Sequence, residues 1–384
     1  MSGWQILVRD AQRRIVGEVA GEATMEIIDR HLALGSWTIT VDAASHDAAL
    51  LRDNAGIVFV RDGQIAFSGP TRLVEREHNV DDGGHGTLTV SGPCDKGWLT
   101  RLVYPNPAVD CVASGTLYST ANYVVAQPAK AETVLHRLVN DHAGPNALAS
   151  RRVPGLRLGT DGGRGANTGV KSRFGVLWDE MVDVATRGGV GFDVVQTWDG
   201  ALEFGVYQPR DQSAAARFSI ELGNLRSYQY TLNPPEATFL VIGDKEGDTQ
   251  RKFYGVEESD PAWSGLRIEE FLDGTDSGDG QDSLTPAQMA AGRFEEARGK
   301  ASITFEPIDT DAVVLGRDYR KGDTVTVEID GIPWSDVVRE VRYTRNADDG
   351  EVVTPVIGDD EESPRIYRRF AELRRKVHTL QTRR

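Results

Sequence analysis

One pattern of strands and turns occurs twice, and it constrains the fold more than any other feature of the sequence. IVFVRDGQIAFSGPTRLVEREHNVDDG runs from Ile57 to Gly83, and TVTVEIDGIPWSDVVREVRYTRNADDG runs from Thr324 to Gly350. In both, an alternating strand enters an Asp-Gly turn, an aromatic residue and a serine follow, and Asp-Asp-Gly comes near the end. Asp-Gly supplies the positive φ angles that two-residue hairpins need. Each copy is therefore predicted to be a three-stranded antiparallel meander.

The two copies align residue by residue after one single-residue gap. The aligned pairs are Ile57 and Val325, Phe59 and Val327, Arg61 and Ile329, Asp62-Gly63 and Asp330-Gly331, Phe67-Ser68 and Trp334-Ser335, Arg72 and Arg339, Val74 and Val341, and Asn79–Gly83 and Asn346–Gly350. Any two antiparallel meanders look alike to some degree, which is the alternative explanation. Shared turn residues at both turns and nearly equal strand lengths favour a true repeat.

Further strand and helix patterns around the copies divide the chain into domains. SWTITVDA and TLTVSG flank the first copy, whereas ATFLVIG and KASITFEP precede the second. The predicted domains are a first β-barrel over 1–113, an α+β middle domain over 114–224, a second β-barrel split into 225–256 and 300–358, an inserted, partly helical lobe over 257–299, and a basic C-terminal helix over 359–384. The fold class predicted is mainly β with α+β, containing two related β-barrel domains.

Helices are predicted in the middle domain and in the lobe. AETVLHRLVNDHA and RFGVLWDEMVDVATRG have the apolar spacing of helices, and a hairpin turning at Asp199-Gly200 follows them. In the lobe, TPAQMAAGRFEEARGK reads as a helix with Thr285 as N-cap, Pro286 at its first position and Gly299 at its end.

Composition excludes several classes of protein. The 384 residues predict two to four domains, and 39% hydrophobic with 26% charged residues is typical of a globular chain. A net charge of −15 argues against a surface that grips nucleic acid, although DNA could slide past it. No run of eighteen apolar residues occurs, and Arg9 and Asp10 interrupt the N-terminus, so neither a secreted precursor nor a membrane protein is predicted. Cys94 and Cys111 read as small apolar residues in a reducing compartment.

No catalytic, cofactor-binding or metal-ligating residue is assigned. His136 and His142 lack the spacing and the acid of a zinc helix. GGRGANTGVKS, from Gly162 to Ser172, has its lysine out of register for a phosphate loop and reads as a flexible loop. SGDGQDSLT, from Ser277 to Thr285, matches one calcium β-roll repeat, but a β-roll needs stacked repeats and a mobile loop is favoured.

The C-terminal segment combines an apolar seam with a basic surface. Ser363 and Pro364 are the predicted start of a helix, in which Ile366, Phe370, Leu373, Val377 and Leu380 form a heptad seam. Docking on the helix's own subunit and self-association remain open alternatives. In a trimer, three such helices could plug a channel or present a docking post.

The order of these units resembles that of the minor tail proteins of actinobacterial siphophages that form the tail-tip hub. The stretches that carry the resemblance are LGSWTITV with Gly35 and Trp37, GPCDKGWLTRLVYPNP with Asp95, Leu99, Arg101, Tyr104, Pro105 and Pro107, and GRDYRKGDTVTV with Gly316, Tyr319, Gly322 and Asp323. The resemblance spans about Trp4 to Gly358, and its weight rests on the order of the motifs.

Such proteins are similar to the trimeric baseplate hubs of contractile phages, in which two related β-barrels per subunit alternate in a pseudo-hexameric ring. The resemblance implies a non-enzymatic homotrimeric hub at the virion tail tip, synthesised in the host cytoplasm. The implied partners are a distal tail or tube-end protein, the tape measure protein and tip or receptor-binding proteins, with DNA passing through unbound. The alternative function is a tail-associated peptidoglycan hydrolase.

Overall fold

The computed structural model describes residues 3–78, 85–111, 124–243, 252–258, 265–273, 285–297, 300–308, 313–346 and 350–358. The chain divides into two compact units. The first contains the residues up to Tyr228 together with Phe305–Ile357, and the second contains Gln229–Thr304.

The strands of the first half of the chain are β1 Gln5–Arg9, β2 Ile15–Glu18, β3 Ala23–Arg30, β4 Ser36–Asp42, β5 Gly56–Arg61, β6 Gln64–Pro70, β7 Leu73–Glu77, β8 Thr87–Pro93, β9 Val124–Lys130, β10 Leu156–Leu158, β11 Asn167–Ser172 and β12 Gly191–Gln196. Those of the second half are β13 Leu202–Tyr207, β14 Arg217–Phe218, β15 Leu225–Asn233, β16 Phe239–Gly243, β17 Phe253–Glu257, β18 Glu269–Asp273, β19 Lys300–Pro307, β20 Thr324–Ile329, β21 Ile332–Asn346 and β22 Gly350–Gly358. The helices are α1 His46–Arg52, α2 Ala131–His142, α3 Leu177–Gly188 and α4 Pro286–Ala297.

The first copy of the repeat packs two sheets around one apolar core. β2-β1-β5-β6 form one sheet, and β3, β4, β8 and β7 are consecutive strands of a ten-stranded sheet. Their shared core contains residues of both sheets, among them Trp4, Phe59, Ile27, Trp37 and Val90. The predicted fold class is confirmed as mainly β with α+β. Among the described residues, however, the strands form open sheets and not closed barrels.

The Asp-Gly turns have the predicted geometry in both copies. Asp62 and Gly63 have φ angles of 52° and 74°, and Asp330 and Gly331 have φ angles of 52° and 78°. Positive φ at both central residues is the requirement of a two-residue hairpin. The single-residue gap in the alignment is a β-bulge in the first copy, between Phe59 and Val60.

Because of the bulge, Phe67 and Trp334 occupy equivalent positions in their hairpins. Phe67 lies opposite Phe59 in the first copy, and Trp334 lies opposite Val327 in the second. The register beyond the turn is therefore the one that the alignment predicts.

The prediction of a three-stranded meander was wrong beyond the Asp-Gly hairpin of each copy. β6 pairs with β5, but β7 leaves that sheet and pairs with β8. In the second copy β21 is one long strand that pairs first with β20 and then with β22. After the Asp-Gly hairpin, the last strand of each copy thus pairs with the strand that follows the copy, in another sheet in the first copy and in the same ten-stranded sheet in the second. The interruption between β6 and β7, at Thr71 and Arg72, matches a bulge beside Arg339 in the second copy, between Val338 and Glu340.

Helices and strands alternate in the part of the first unit between the two copies. The sheet β10-β13-β12 and the helices α2 and α3 enclose one core that includes Leu135, Met181, Phe192 and Phe204. α2 begins and ends within a residue of the predicted helix, whereas α3 begins only at Leu177. The hairpin β12–β13 turns at Asp199-Gly200 as predicted.

The second unit has its own sheet and its own core. β16 pairs with β17 and with β18, and Leu240 and Ile242 of β16 pack with Ala290 and Phe294 of α4. The sequence analysis assigned β16 and β17 to the second barrel domain. In the structure, the buried face of β16 is covered by α4, the helix of the inserted segment. α4 begins at Pro286, as predicted.

Three predictions fall outside the described residues. They are the Asp-Asp-Gly turns at 81–83 and 348–349, most of the β-roll-like stretch at 277–284, and the C-terminal helix at 359–384.

Removing the inserted segment should leave the first unit folded. β15 and β19 are neighbours in the sheet, so a short Gly-Ser linker can replace residues 234–299 at little entropic cost. The expected product is a soluble, β-rich protein with one cooperative thermal transition, monitored by circular dichroism. A product that melts without cooperativity would show that the first unit needs the inserted segment.

Candidate assembly site

The ten-stranded sheet contains the repeat as two four-strand blocks. Its order is β15-β19-β22-β21-β3-β4-β8-β7, with β14 and β20 off this path. The first block is β3-β4-β8-β7, and the second block is β15-β19-β22-β21. Both have the same order: the two strands that precede the Asp-Gly hairpin, then the strand that follows the copy, then the last strand of the copy. The blocks therefore follow each other head to tail.

The contact between the two blocks, which we call the internal joint, is the antiparallel pairing of β21 with β3. Six residue pairs form it, from Glu340 opposite Arg30 to Arg345 opposite Met25. Arg30 Nε donates to Glu340 Oε2 at 2.6 Å, and Arg342 Nε lies 3.7 Å from Glu26 Oε1. Charged residues are thus compatible with this strand pairing when they are matched across it.

An aromatic and arginine cluster supports the internal joint on its core side. The rings of Trp4 and Tyr343 are 5.1 Å apart, and Arg61 lies over both, 5.3 Å and 5.5 Å from their centroids. Glu351 binds Arg61 at 3.0 Å and accepts a hydrogen bond from Trp4 Nε1 at 3.1 Å. The second block is therefore bound by side chains at β1 and β5 in addition to its backbone pairing with β3.

The two ends of the described sheet are the equivalents of the strands in the internal joint. β7 corresponds to β21, and β15 corresponds to β3. All five residues of β7 are exposed, including Leu73 at 48% and Val74 at 41%. On β15, Tyr230 is 61% exposed. In contrast, Met25 and Ile27 of β3 are fully buried.

One face of the sheet packs on the core, and the opposite face, which we call the hydroxyl face, carries mainly polar side chains together with Ile28, Leu73, Val352 and Val356. The register places these side chains in rows across the strands. Its hydroxyl residues are Thr24, Ser36, Thr38, Thr40, Thr87, Thr89, Ser91, Thr344 and Thr354. Its acids are Glu26, Asp42, Glu75, Glu77 and Glu340, and its bases are Arg30 and Arg342. The face is therefore hydroxyl-rich and net acidic.

A buried network joins the first copy to the middle domain. The guanidinium of Arg9 donates to both carboxylate oxygens of Asp95, at 2.8 Å and 2.7 Å, and to Gln196 Oε1 at 2.7 Å. Ser68 Oγ donates to Asp95 Oδ2 at 2.6 Å, and Trp98 Nε1 donates to Asp95 Oδ1 at 3.0 Å. Arg9 is 2% exposed and Asp95 is fully buried. The carboxylate is saturated with donors, as a buried charge must be.

A second ionic cluster joins β3 and the segment before β20 to β12. Lys321 Nζ binds Asp29 of β3 at 2.6 Å and Asp193 of β12 at 2.8 Å, and Lys96 Nζ lies 3.3 Å from Asp193. Burial by itself lowers the pKa of Lys321, but the charges of Asp193 and Asp29 outweigh it and hold that pKa well above 10.5. Burial raises the pKa of Asp193, but Lys321 and Lys96 outweigh it and hold that pKa below 3.8. Both groups are therefore charged at neutral pH.

Three of the motif residues named in the resemblance, Asp95, Asp323 and Arg101, make contacts of this kind. Besides Asp95, Asp323 is fully buried and accepts hydrogen bonds from Arg210 N, Nε and Nη2 at 2.8, 3.0 and 2.6 Å. Arg101 donates to Arg151 O at 2.7 Å. Sequence reasoning missed Arg9, Lys321 and Asp193. The only signal for Lys321 was its position inside the GRDYRKGDTVTV stretch.

The residues weighed as enzymatic candidates do not form a reactive group. His142 is fully buried, and burial lowers its pKa to about 4, so it is neutral at neutral pH. Lys171 lies on strand β11, antiparallel to β9, and not between a loop and a helix as in a phosphate-binding site. Cys94 is buried, and its Sγ accepts a hydrogen bond from Gly35 N at 3.2 Å. Among the described residues, no group of three His, Cys, Asp or Glu side chains could hold a metal ion.

Membrane insertion by a helix has no support in the part of the chain that the structure describes. None of its helices combines the length and the apolar character needed to span a bilayer.

Comparison with known proteins gives a family and a fold. Residues 5–359 match the family model described as Siphovirus ReqiPepy6 Gp37-like protein. The fold is similar to that of the tail protein from Neisseria meningitidis MC58, at 15% identity and a TM-score of 0.52, covering 93% of this chain and 97% of that chain. It is also similar to the 43 kDa tail protein of prophage MuSo2 from Shewanella oneidensis, at 12% identity and a TM-score of 0.52, covering 92% and 98%. No curated protein sequence matches the chain.

Proposed function

The chain belongs to the Siphovirus ReqiPepy6 Gp37-like family, and from this premise we propose that it is the structural hub of a long non-contractile phage tail tip. In this proposal three chains form a ring of six similar blocks around the DNA path. The ring joins the tail tube to downstream tip or receptor-binding proteins. The two proteins of similar fold are both tail proteins, which supports this assignment.

The observation that carries the proposal is the head-to-tail order of the two blocks. A chain that holds the same four-strand block twice in one sheet presents two similar units to its surroundings. Three such chains present six, which allows a threefold tip to meet a sixfold tube. In this scheme the hub ring domains are residues 1–113 and the split domain formed by residues 225–256 and 300–358. The strands β16 and β17 fall within the range of the split domain but belong to the second, inserted unit. The middle domain, 114–224, lies outside the repeat.

A non-enzymatic role is part of the proposal. The side chains that lie deepest in the joining regions, Asp95, Lys321 and Asp323, are saturated by partners within the chain. The second candidate is a tail-associated peptidoglycan hydrolase. Host cell-wall material incubated with the purified protein, in solution and in a zymogram gel, separates the two. Cleared cell wall would overturn the structural role.

Location in the particle tests the proposed role most simply. Antibodies raised against the purified protein, used on intact virions in negative-stain immunoelectron microscopy, should label only the distal end of the tail. Labelling along the tube or on the capsid would contradict a tip hub. The same antibodies should precipitate the distal tail, tape measure or receptor-binding proteins from lightly detergent-treated particles.

The hydroxyl face is suited to a passage for DNA. Short threonine and serine side chains offer no long cations to phosphates, and the excess of acids repels them. Arg30 and Arg342 are offset by Glu340 and Glu26. We place this face toward the DNA path in the ring, so that DNA moves past it without being held.

Adding lysines to the hydroxyl face should create DNA binding. The triple variant Thr24→Lys, Thr38→Lys and Thr87→Lys should bind a short linear duplex at least about tenfold more tightly than the unchanged protein, with a steep loss of affinity as salt rises. The matched control places the same charge on other exposed sites: Ser150→Lys, Thr160→Lys and Thr186→Lys. Equal affinities of the two triple variants in a fluorescence anisotropy titration would show that the hydroxyl face does not line the path.

A further inference from the structure

The three-stranded sheet of the second unit has two different faces. On one face, Leu240 and Ile242 of β16 pack with α4. Successive strand residues point to opposite faces, so Phe239 and Val241 of β16 lie on the other face, which we call the aromatic face. The register adds the remaining residues of this face: Phe253, Gly255 and Glu257 of β17, and Glu269, Phe271 and Asp273 of β18. The aromatic face therefore combines phenylalanines with acids.

Two phenylalanines of the aromatic face are more than half exposed. Phe253 is 60% exposed and Phe271 is 52% exposed, and their ring centroids lie 6.3 Å apart. The ring of Phe239 lies beside the backbone of Gly255, where an added Cβ atom would come within 2.8 Å of it. The glycine therefore leaves room for this ring on the sheet. An exposed aromatic surface with a polar rim is typical of a binding surface.

Acids border the aromatic face, and an arginine already lies on it. Glu257 and Glu269 are exposed and lie opposite Phe239 on the two neighbouring strands. Arg267 lies over the Phe239 ring, 3.7 Å from its centroid, and its Nε donates to Glu269 Oε1 at 2.6 Å. A guanidinium is thus held by an aromatic ring and a carboxylate together. The surface fits a partner that is both apolar and basic.

A segment of the chain itself has both properties. In residues 365–384, outside the part of the chain that the structure describes, eight Arg and Lys residues stand against one acid, Glu372. The apolar side is the predicted heptad seam of Ile366, Phe370, Leu373, Val377 and Leu380. We propose that this segment, as a helix, packs its seam on the aromatic face of its own chain. Docking of this kind goes beyond the proposed hub function and does not require it.

Length and charge favour this occupant of the aromatic face. A helix from Ile366 to Leu380 spans about 21 Å, and the five-residue strands of the sheet span about 17 Å. Because the segment is tethered to the face by the chain, its docking is intramolecular and is favoured over a separate chain of equal affinity. Pairing the seams of two or three such segments would instead bring their basic residues together with few acids to offset them.

Trypsin digestion of the full chain tests this docking. The Arg and Lys residues of 365–384 are cleavage sites, and a docked segment is cleaved only while it is open. The double variant Phe253→Ser and Phe271→Ser should therefore lose this segment at least about tenfold faster than the unchanged protein, as followed by mass spectrometry. The matched control, Ile220→Ser with Leu222→Ser, replaces side chains that are 61% and 62% exposed and should leave the rate unchanged. Equal rates for the two double variants would overturn the docking.

Disulfide trapping in the full chain identifies the occupant of the aromatic face. In a Cys111→Ser background, Phe271→Cys is combined with one cysteine on the seam, at Phe370, Leu373 or Val377. Mild oxidation should give an intramolecular disulfide for at least one of the three pairs, seen as a faster band on a non-reducing gel.

The control places the second cysteine off the seam. Arg375 lies on the opposite side of the predicted helix, so Arg375→Cys combined with Phe271→Cys should stay unlinked. A disulfide between two chains would assign the aromatic face to a second copy, and no disulfide from any seam position would assign it to a different partner. Either result would overturn docking of the chain's own segment. Both would leave the hub function standing, because antibody labelling tests that function separately.

Discussion

Replacing the buried carboxylate of Asp95 (Asp95→Ala) is expected to lower the free energy of unfolding of the first unit by about 3–5 kcal/mol. The substitution leaves the guanidinium of Arg9, 2% exposed, without its anionic partner. It also removes the acceptor of Ser68 and Trp98. A buried cation that has lost its partner costs far more than the net value of the ion pair.

The measurement is the midpoint of urea unfolding followed by circular dichroism, compared with a matched surface variant. Asp53→Ala removes an exposed carboxylate that pairs with Arg52, both of them more than half exposed. The control should change the free energy of unfolding by less than about 1 kcal/mol. If Asp95→Ala behaves like the control, then the network around Arg9 does not join the first copy to the middle domain.

Replacing the lysine of the second cluster (Lys321→Met) should have an effect of similar size, a loss of about 3 kcal/mol at neutral pH. The variant keeps the volume of the side chain but leaves Asp29 without its cation and Asp193 with only Lys96. Lys130→Met, at an exposed position, is the matched control. An unchanged midpoint for Lys321→Met would contradict the joining role of the cluster.

The pH dependence of this effect follows from the two pKa shifts. The pKa of Asp193 is below 3.8 in the folded protein, so its contribution is present above that value and is lost as the pH falls through the folded pKa. The pKa of Lys321 is above 10.5, so its contribution is present below that value and is lost as the pH rises through the folded pKa. The stability difference between unchanged protein and Lys321→Met should therefore be largest between about pH 5 and 9.

Local features of the fold were predictable from the sequence because they depend on a few adjacent residues. The turns at Asp62-Gly63 and Asp330-Gly331 follow from the backbone freedom of Asp and Gly, and the start of α4 follows from Thr285-Pro286. The equivalent strand positions of Phe67 and Trp334 were predictable because a one-residue gap in the alignment corresponds to a one-residue β-bulge in the first copy.

The partners of the strands were not predictable, because strand pairing is decided by distant segments. Nothing near Leu73 in the sequence shows that β7 leaves β6 for β8, and β21 pairs with a strand more than three hundred residues away. The same holds for the joining regions. Arg9, Asp95 and Gln196 are far apart in the chain, and only folding shows that one carboxylate satisfies all its donors.

The symmetry of the purified protein tests the central claim most directly. Light scattering should give three times the chain mass of 42.0 kDa. Electron microscopy of the same sample should show closed rings with threefold symmetry, in which six similar β blocks surround one central opening. A monomer at micromolar concentration, or a particle in which the two blocks of each chain occupy unlike positions, would contradict the account that the repeat exists to build a ring.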